Sequence, residues 1–312
     1  MKVKTVHYTP DGDIELTTVE VGDPGVGQVQ VEATACGICS WDIATCKLGR
    51  KFKVPAPAGH EGFGYVSKLG PGVEGLAVGD RVAAGSGFAK LTNVPAARVY
   101  KIPDSKLADE HWIVEPVSCA ITGIDHCRLK PGDRVCVIGC GFMGMLILQG
   151  LLRSYADQVV GIELRADRIE AARMLGVAEL YNDTEISPTD LAAKLKPRGF
   201  DVVVDTTGAQ EGLDLATRIV KTSGIINLFG WIKGERASFD TAGWHLGGFT
   251  VVNSAPASQI RDPFPPAIRM MAKGIIDLRP LVTHAVSLEE YPSLMKRLVK
   301  GEPSYIKGVV RL

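Results

Sequence analysis

Cys39, the adjacent pair His60-Glu61, and Glu115 are the residues of this chain whose types suit a metal ion. Thiolate, imidazole and carboxylate are donors that zinc accepts, and a catalytic zinc keeps one position open for water or substrate. The pair lies in Ala58-Gly59-His60-Glu61-Gly62-Phe63-Gly64, where glycines on both sides let the backbone bend so that both side chains face one point. Cys39 closes Cys36-Gly37-Ile38-Cys39. Taken alone, this CxxC reads as half of a structural metal site, as a redox pair, or as two small buried thiols. The nearby His-Glu pair shifts the balance towards metal.

A second set of residues suits a dinucleotide. Val135-Cys136-Val137-Ile138 is a strand-like run that leads into Gly139-Cys140-Gly141-Phe142-Met143-Gly144, a GxGxxG that opens a helical pattern. Gly139 makes the tight turn, Gly141 lets a pyrophosphate approach the backbone, and Gly144 lets the helix pack closely. The free N–H groups of the helix start, with Phe142 and Met143 in its first turn, attract phosphate. The next strand-like run ends at Glu163, whose carboxylate suits the ribose hydroxyls and repels the extra phosphate of NADP, so NAD is favoured. Arg165 and Arg168 follow and soften that preference. Asp205-Thr206-Thr207-Gly208 closes another strand at the same sheet edge, which puts Thr206 beside the cofactor.

These residues need two kinds of scaffold. Residues 2–103 are rich in strand patterns and in Gly/Pro turns: Val29, Val31, Ala33 and Ala35 alternate strictly, and further runs lie at 63–69, 81–84 and 98–102. From 106 the character changes. Residues 107–126 form an apolar helical stretch carrying Glu115. Strand-like runs at 134–138, 158–162, 201–204, 224–229 and 249–253, with a weaker one at 180–181, then alternate with helical patterns at 143–155, 165–175, 189–195 and 210–220. Alternation of this kind implies a doubly wound parallel sheet, a Rossmann arrangement. In the tail, 264–273 is helical, Ser287-Leu288-Glu289-Glu290 matches a capping box that starts a helix to about Lys300, and 306–310 is a strand. The expected organisation is an α/β chain with a β-rich catalytic domain at 1–117, an NAD-binding domain at 118–253, and a return segment at 254–312 that completes the first domain.

Composition narrows the function class. A chain of 312 residues with zero formal net charge, 46% hydrophobic and 22% charged residues is ordinary for a globular enzyme. It argues against nucleic-acid or membrane-surface binding through bulk charge. The N-terminus shows no secretory pattern, and no apolar run is long enough to span a bilayer. Seven irregularly spaced cysteines do not form a disulfide framework, so a reducing, cytoplasmic location is expected. His7, His111, His126, His245 and His284 carry no partner pattern and read as structural. The basic stretch 46–53 reads as a solvated loop or as a rim that attracts an anionic substrate group, and Trp231 and Lys233, after the fifth Rossmann strand, read as loop residues or as lining of the cleft.

Together these residues make the chain resemble the zinc-dependent medium-chain dehydrogenase/reductase superfamily. The resemblance rests on Cys39 followed by Asp42, Gly59-His60-Glu61 with Gly64 and Gly70, Gly79-Asp80-Arg81-Val82, the glycine fingerprint and Asp205. Glu115-Pro116 is similar to the polyol (sorbitol-type) branch, in which a glutamate stands where ethanol-type enzymes carry a third-ligand cysteine. The resemblance implies a GroES-like fold for the β-rich domain and Cys39 and His60 as zinc ligands. It makes Glu61 a ligand or close neighbour, and Glu115 a ligand or the group that holds the zinc's water. It places Asp42 behind His60, and it implies a homodimer or homotetramer. Two departures stand out. The four-cysteine structural zinc lobe of many relatives has no counterpart between Arg81 and Ala96, which leaves one zinc per chain. Trp41 stands where relatives carry Ser or Thr, and Ala44 where a histidine often continues the proton relay, so Glu61, Glu115 or water must take that role. Trp41 would also narrow the pocket or offer an apolar face to a sugar ring.

The expected reaction is hydride transfer between NAD and a secondary alcohol or its ketone, on a polyol, cyclitol or sugar derivative. Zinc acts as Lewis acid, with Glu61 or Glu115 as base. Two alternatives remain at this level: a zinc-free, NADPH-using enzyme of the quinone-reductase type, and an NAD-binding sensor without catalysis.

Overall fold

The computed structural model describes residues 1–49, 58–182, 184–231, 236–255 and 258–312. Part of the basic stretch 46–53, and Lys233, lie outside these residues. The chain divides into two compact units. One comprises Met1–Pro116, Ala267–Ala272 and Leu278–Leu312; the other comprises Val117–Pro266 and Lys273–Asp277.

The first unit is built on a sheet whose strand order is Val282–Ser287, Lys307–Arg311, Gln28–Ile38, Glu61–Leu69, Arg81–Ala84, Val99–Lys101, with Leu91–Pro95 also paired to Gln28–Ile38. The alternating valines and alanines of Gln28–Ile38 are fully buried, Val29 and Val31 in a core with Val66, Val82 and Val94, and the strand is paired along both edges. It is also the strand that assembles the site. Gly37 faces Glu61 on one side and Val309 on the other, and Gly308 faces Ile38. A separate hairpin pairs Lys2–Tyr8 with Ile14–Glu20.

Helix Ser40–Leu48 follows directly and was not evident from the sequence, because the residues it buries, Asp42 and Thr45, are polar and make no apolar stripe. A local bond sets its start: the Asp42 carboxylate accepts the Cys39 N–H at 2.8 Å, the reach-back half of a capping box. Helix Tyr291–Lys300 packs on the same core, in which Cys36, Ile38, Phe88, Tyr291, Leu294 and Val310 are buried. The Ser287–Glu290 bonds form, with the Ser287 N–H donating to Glu290 at 2.8 Å and the Glu290 N–H to Ser287 Oγ at 3.3 Å, but they close a turn and the helix itself begins at Tyr291.

The second unit holds an all-parallel sheet ordered Glu179–Asn182, Gln158–Glu163, Arg134–Ile138, Phe200–Asp205, Val220–Leu228, Thr250–Asn253. Numbered within the unit, this is the 3-2-1-4-5-6 order of a doubly wound dinucleotide fold. Helices Phe142–Leu151, Ala166–Met174, Pro188–Leu195 and Gln210–Ile219 lie where the periodicity placed them, within a few residues. The first ends at Leu151 rather than 155, where the Ser154 hydroxyl donates to the Leu151 carbonyl at 2.6 Å. The stretch expected as one helix from 107 begins as α-helix only at Val114, after a single 3-10 turn at Asp109–His111. Helix Thr241–Gly247 was not anticipated.

The expected return to the first domain at 254 differs from the structure, where it falls at Ala267. The intervening residues are bound into the second unit. Ser254 Oγ donates to Asn227 Oδ1 at 2.5 Å, and the Arg261 guanidinium makes two 2.7 Å bonds to Asp125. Among the described residues, no helix is long and apolar enough to cross a membrane.

Candidate functional site

Cys39, His60 and Glu61 converge: one ligand atom from each lies within 4.8 Å of the other two. Ligand atoms on a tetrahedral zinc with 2.0–2.3 Å bonds sit about 3.5 Å apart, so small side-chain movements would close the set on an ion. Cys39 precedes helix Ser40–Leu48 and follows strand Gln28–Ile38, while His60 immediately precedes strand Glu61–Leu69 and Glu61 begins it. The antiparallel register of those strands, with Gly37 opposite Glu61, brings the two segments together. Burial pushes the Cys39 thiol up to about 12, with the Glu61 carboxylate adding to the rise and Lys307 opposing it. A bound cation reverses that balance, since a coordinating thiol is deprotonated outright. The donor types and their spacing fit zinc.

Glu115 does not join this group. It sits half-buried in the first turn of helix Val114–His126, outside the cluster formed by the other three. Of the two glutamates expected from the sequence, the geometry brings Glu61 to the thiol and imidazole. Trp41 is half-buried in the first turn of helix Ser40–Leu48, two residues beyond Cys39.

Asp42 occupies a different place from the expected one. Its carboxylate accepts the Cys39 N–H at 2.8 Å and the Tyr8 hydroxyl at 3.0 Å, and Tyr8 is in turn 2.5 Å from the Tyr291 hydroxyl. It therefore fixes the backbone of Cys39 rather than accepting a hydrogen bond from His60. Burial raises the Asp42 carboxyl to about 6, against the opposing pull of the Cys39 N–H and of His60.

Two residues that the sequence did not single out complete the site. Lys307, only 3% exposed, places Nζ 2.5 Å from Glu61 Oε2 and donates to the Ile38 carbonyl at 2.9 Å. Burial alone would lower this lysine, yet the charges of Glu61 and Cys39 raise it. Its signal in the sequence is slight: one lysine ahead of the apolar run Gly308-Val309-Val310. Gly37 is the other. A Cβ there would stand 2.0 Å from Glu61 Oε2 and 3.0 Å from Ile113 Cδ1. The glycine inside the CxxC thus leaves room for the carboxylate. Gly37→Ala is expected to displace Glu61 and weaken zinc binding by about 10- to 100-fold, measured by competition with a chromophoric chelator. Zinc affinity equal to wild type would show that the carboxylate is not held there.

In the second unit the glycine fingerprint has the expected shape. Gly139 has φ +90° between strand Arg134–Ile138 and helix Phe142–Leu151. A Cβ on Gly144 would lie 2.0 Å from the Gly139 carbonyl oxygen, so the helix packs on the turn at backbone contact. The Thr206 hydroxyl donates to the carbonyls of Gly139 at 2.8 Å and Ile138 at 3.0 Å, clamping the turn. Phe142 and Met143 form the first turn of the helix.

Glu163 is more committed than the sequence suggests. Oε2 accepts the Cys140 N–H at 2.9 Å, and Oε1 accepts the N–H groups of Leu164 and Arg165 at 2.8 and 3.1 Å. Arg168 Nη1 lies 3.9 Å from the same carboxylate and about as far from where a Gly141 side chain would begin. Glu163 therefore shapes the glycine turn, while Arg168 stands over its second glycine.

Comparison with known proteins agrees with both halves. The family described as "Alcohol dehydrogenase GroES-like domain" matches residues 25–104, and that described as "Zinc-binding dehydrogenase" matches residues 143–273. Among curated proteins, the chain is 27% identical to D-arabinitol dehydrogenase 1 of Uromyces fabae, covering 96% of this chain and 95% of that one. It is 27% identical to sorbitol dehydrogenase of Homo sapiens, covering 93% and 91%. Among solved structures, 2R,3R-butanediol dehydrogenase of Bacillus subtilis superposes with a TM-score of 0.89 at 25% identity, over 99% of each chain. The shared fold, both family matches and end-to-end likeness to polyol and diol dehydrogenases place the chain in the zinc-dependent medium-chain dehydrogenase/reductase superfamily, in its polyol-dehydrogenase-like branch, as an alcohol or polyol oxidoreductase.

Proposed function

We propose that the protein oxidises a secondary hydroxyl of a polyol, diol or sugar derivative, and runs the reverse reduction, with NAD rather than NADP. The observation that carries this reading is the convergence of Cys39, His60 and Glu61. These three residues would hold one zinc. When bound, zinc supplies a Lewis acid that makes a substrate hydroxyl more acidic, and the nicotinamide supplies the hydride acceptor.

The rest of the work belongs to the chain. Asp42 fixes the Cys39 backbone, and Gly37 leaves space for Glu61. Because Lys307 already engages Glu61, the hydroxyl proton falls to Glu115, acting through water as general base. Trp41, in place of a relay hydroxyl, narrows the pocket. Gly139, Gly141, Gly144 and the N–H groups of Phe142 and Met143 receive the pyrophosphate. Thr206 keeps that turn closed, and Glu163 and Arg168 flank the adenosine ribose. The negative charge of Glu163 supports NAD over NADP. Thr250–Asn253 forms one edge of the parallel sheet, which supports a homodimer or homotetramer.

Metal content per chain, with reduction of NAD and NADP followed across a polyol, diol and sugar panel, tests the reading. About one zinc per chain and NAD-linked turnover on a vicinal diol or polyol are expected. Glu115→Ala should keep its zinc while kcat falls about 100-fold, within the usual range for loss of a general base. Two zincs would contradict the single-site reading. Turnover with NADPH in metal-free protein would move the chain to the zinc-free reductases.

A further inference from the structure

Lys307 is the buried charge that the proposed reaction does not use. It heads strand Lys307–Arg311, whose first four residues are all buried, and its ammonium meets Glu61 and the Ile38 carbonyl. Both members of the pair are nearly free of solvent, with side chains 4% and 2% exposed. A lysine in such a place is costly to desolvate, and a hydrophobic residue of similar length would often serve stability as well. Its presence beside one particular carboxylate calls for a reason.

The sheet supplies one. Strand Gln28–Ile38 runs between the strand of Glu61 and the strand of Lys307, and Gly37 is the register partner of both Glu61 and Val309. Gly37 has no side chain to fill the space above it, and the Glu61 carboxylate occupies that space. The carboxylate is thus seated by glycine, paired with ammonium, and adjacent to Cys39 and His60. A carboxylate buried so fully has two ways to be compensated here: the ammonium, or a metal ion held with the thiolate and imidazole.

We propose that Lys307 is a positioning residue for the metal site: its ammonium holds the Glu61 carboxylate beside Cys39 and His60 and compensates its charge whenever the metal is absent. This rests on the metal site proposed above. Lys307 and zinc then act on the same carboxylate, so each changes what the other contributes. The metal-free site stays assembled, and zinc enters a formed set of ligands.

The test is thermal unfolding of the full chain, with chelator or with zinc chloride, for wild type, Lys307→Met and Lys307→Gln. Without metal, Lys307→Met should lower Tm by roughly 10 °C, since it leaves a buried carboxylate unpaired. Zinc should then restore much of the loss, so that its Tm increment exceeds that of wild type by about 5 °C or more. Recovery of folded Lys307→Met only in the presence of zinc would support the same conclusion. Lys307→Gln keeps a polar group in the slot and should show the same excess on a smaller scale, readable even if the methionine variant does not fold. In a Glu61→Gln background, the zinc increment should no longer depend on residue 307. Equal increments in wild type and in the position-307 variants would overturn the proposal. Zinc content separates this from failure of the site itself. A wild type that binds no zinc, or whose zinc survives Cys39→Ser, would overturn the metal site; one zinc lost in Cys39→Ser with equal increments would overturn only the role of Lys307.

Discussion

Replacing His60 by alanine should reduce zinc from about one per chain to a small fraction of that and lower kcat/KM for alcohol oxidation by at least about a thousandfold. The magnitude follows from the role. A Lewis acid contributes several kcal/mol of charge stabilisation in the transition state, and about 4 kcal/mol corresponds to three powers of ten. His60 is half-buried and precedes its strand, so its removal leaves the sheet register intact and Tm should fall little in chelator-treated protein. NAD affinity should stay within about threefold of wild type, since the proposed dinucleotide site lies in the other unit. Metal analysis, steady-state kinetics and calorimetric titration with NAD give the three readings. A variant that keeps its zinc and a tenth of its activity would show that Cys39, His60 and Glu61 do not form the catalytic metal site.

Gly144→Val should produce the opposite pattern, with zinc retained and cofactor lost. Its Cβ would begin 2.0 Å from the Gly139 carbonyl oxygen. That neighbour is backbone, held further by the Thr206 hydroxyl at 2.8 Å, and no rotamer change can relieve the overlap. The helix must move away from the turn, and the N–H groups that would receive the pyrophosphate move with it. An increase in the Kd for NADH of about 100-fold or more is expected, equivalent to roughly 3 kcal/mol. Fluorescence titration measures it directly, and metal content near one per chain confirms that the first unit is unaffected. Near-normal NADH affinity would show that the dinucleotide does not lie along this turn.

Much of this was written in local patterns. The parallel sheet follows from alternation of apolar strands and amphipathic helices, and the glycine fingerprint is local by nature: turn, approach and packing residues lie within six positions, 139–144. Cys39, His60 and Glu61 were recognisable because their donor types are few and suited to metal. What escaped was what depends on partners across the sheet. Lys307 is separated from Glu61 by 246 positions, and only the register on either side of Gln28–Ile38 brings them together. Gly37 looked like a spacer in a CxxC, since its purpose is visible only when the Glu61 carboxylate lies over it. Glu163 ends its strand as the sequence pattern implies, but its backbone bonds depend on how the glycine turn presents the Cys140 N–H. Helix Ser40–Leu48 shows the limit of periodicity: its start is set by one carboxylate–amide bond rather than by an apolar stripe.

The interruption of the first unit by residues 117–266 has a consequence for how the protein is made. The second unit is nearly continuous in sequence and can fold from neighbouring segments. The central sheet of the first unit must instead join Gln28–Ile38 to Lys307–Arg311 across the whole insertion. Closing a loop of that length while it is still flexible costs conformational entropy that grows with the logarithm of its length. Folding of the insertion first replaces the flexible loop by a rigid body with fixed ends. Contacts of such long sequence separation also form slowly. The nucleotide-binding unit is therefore expected to act as an internal template, folding early, with Lys307 reaching Glu61 among the last events of maturation. A metal ion supplied during synthesis would meet Cys39, His60 and Glu61 before their ammonium partner arrives, so the order of metal capture and strand insertion becomes a property of the folding route.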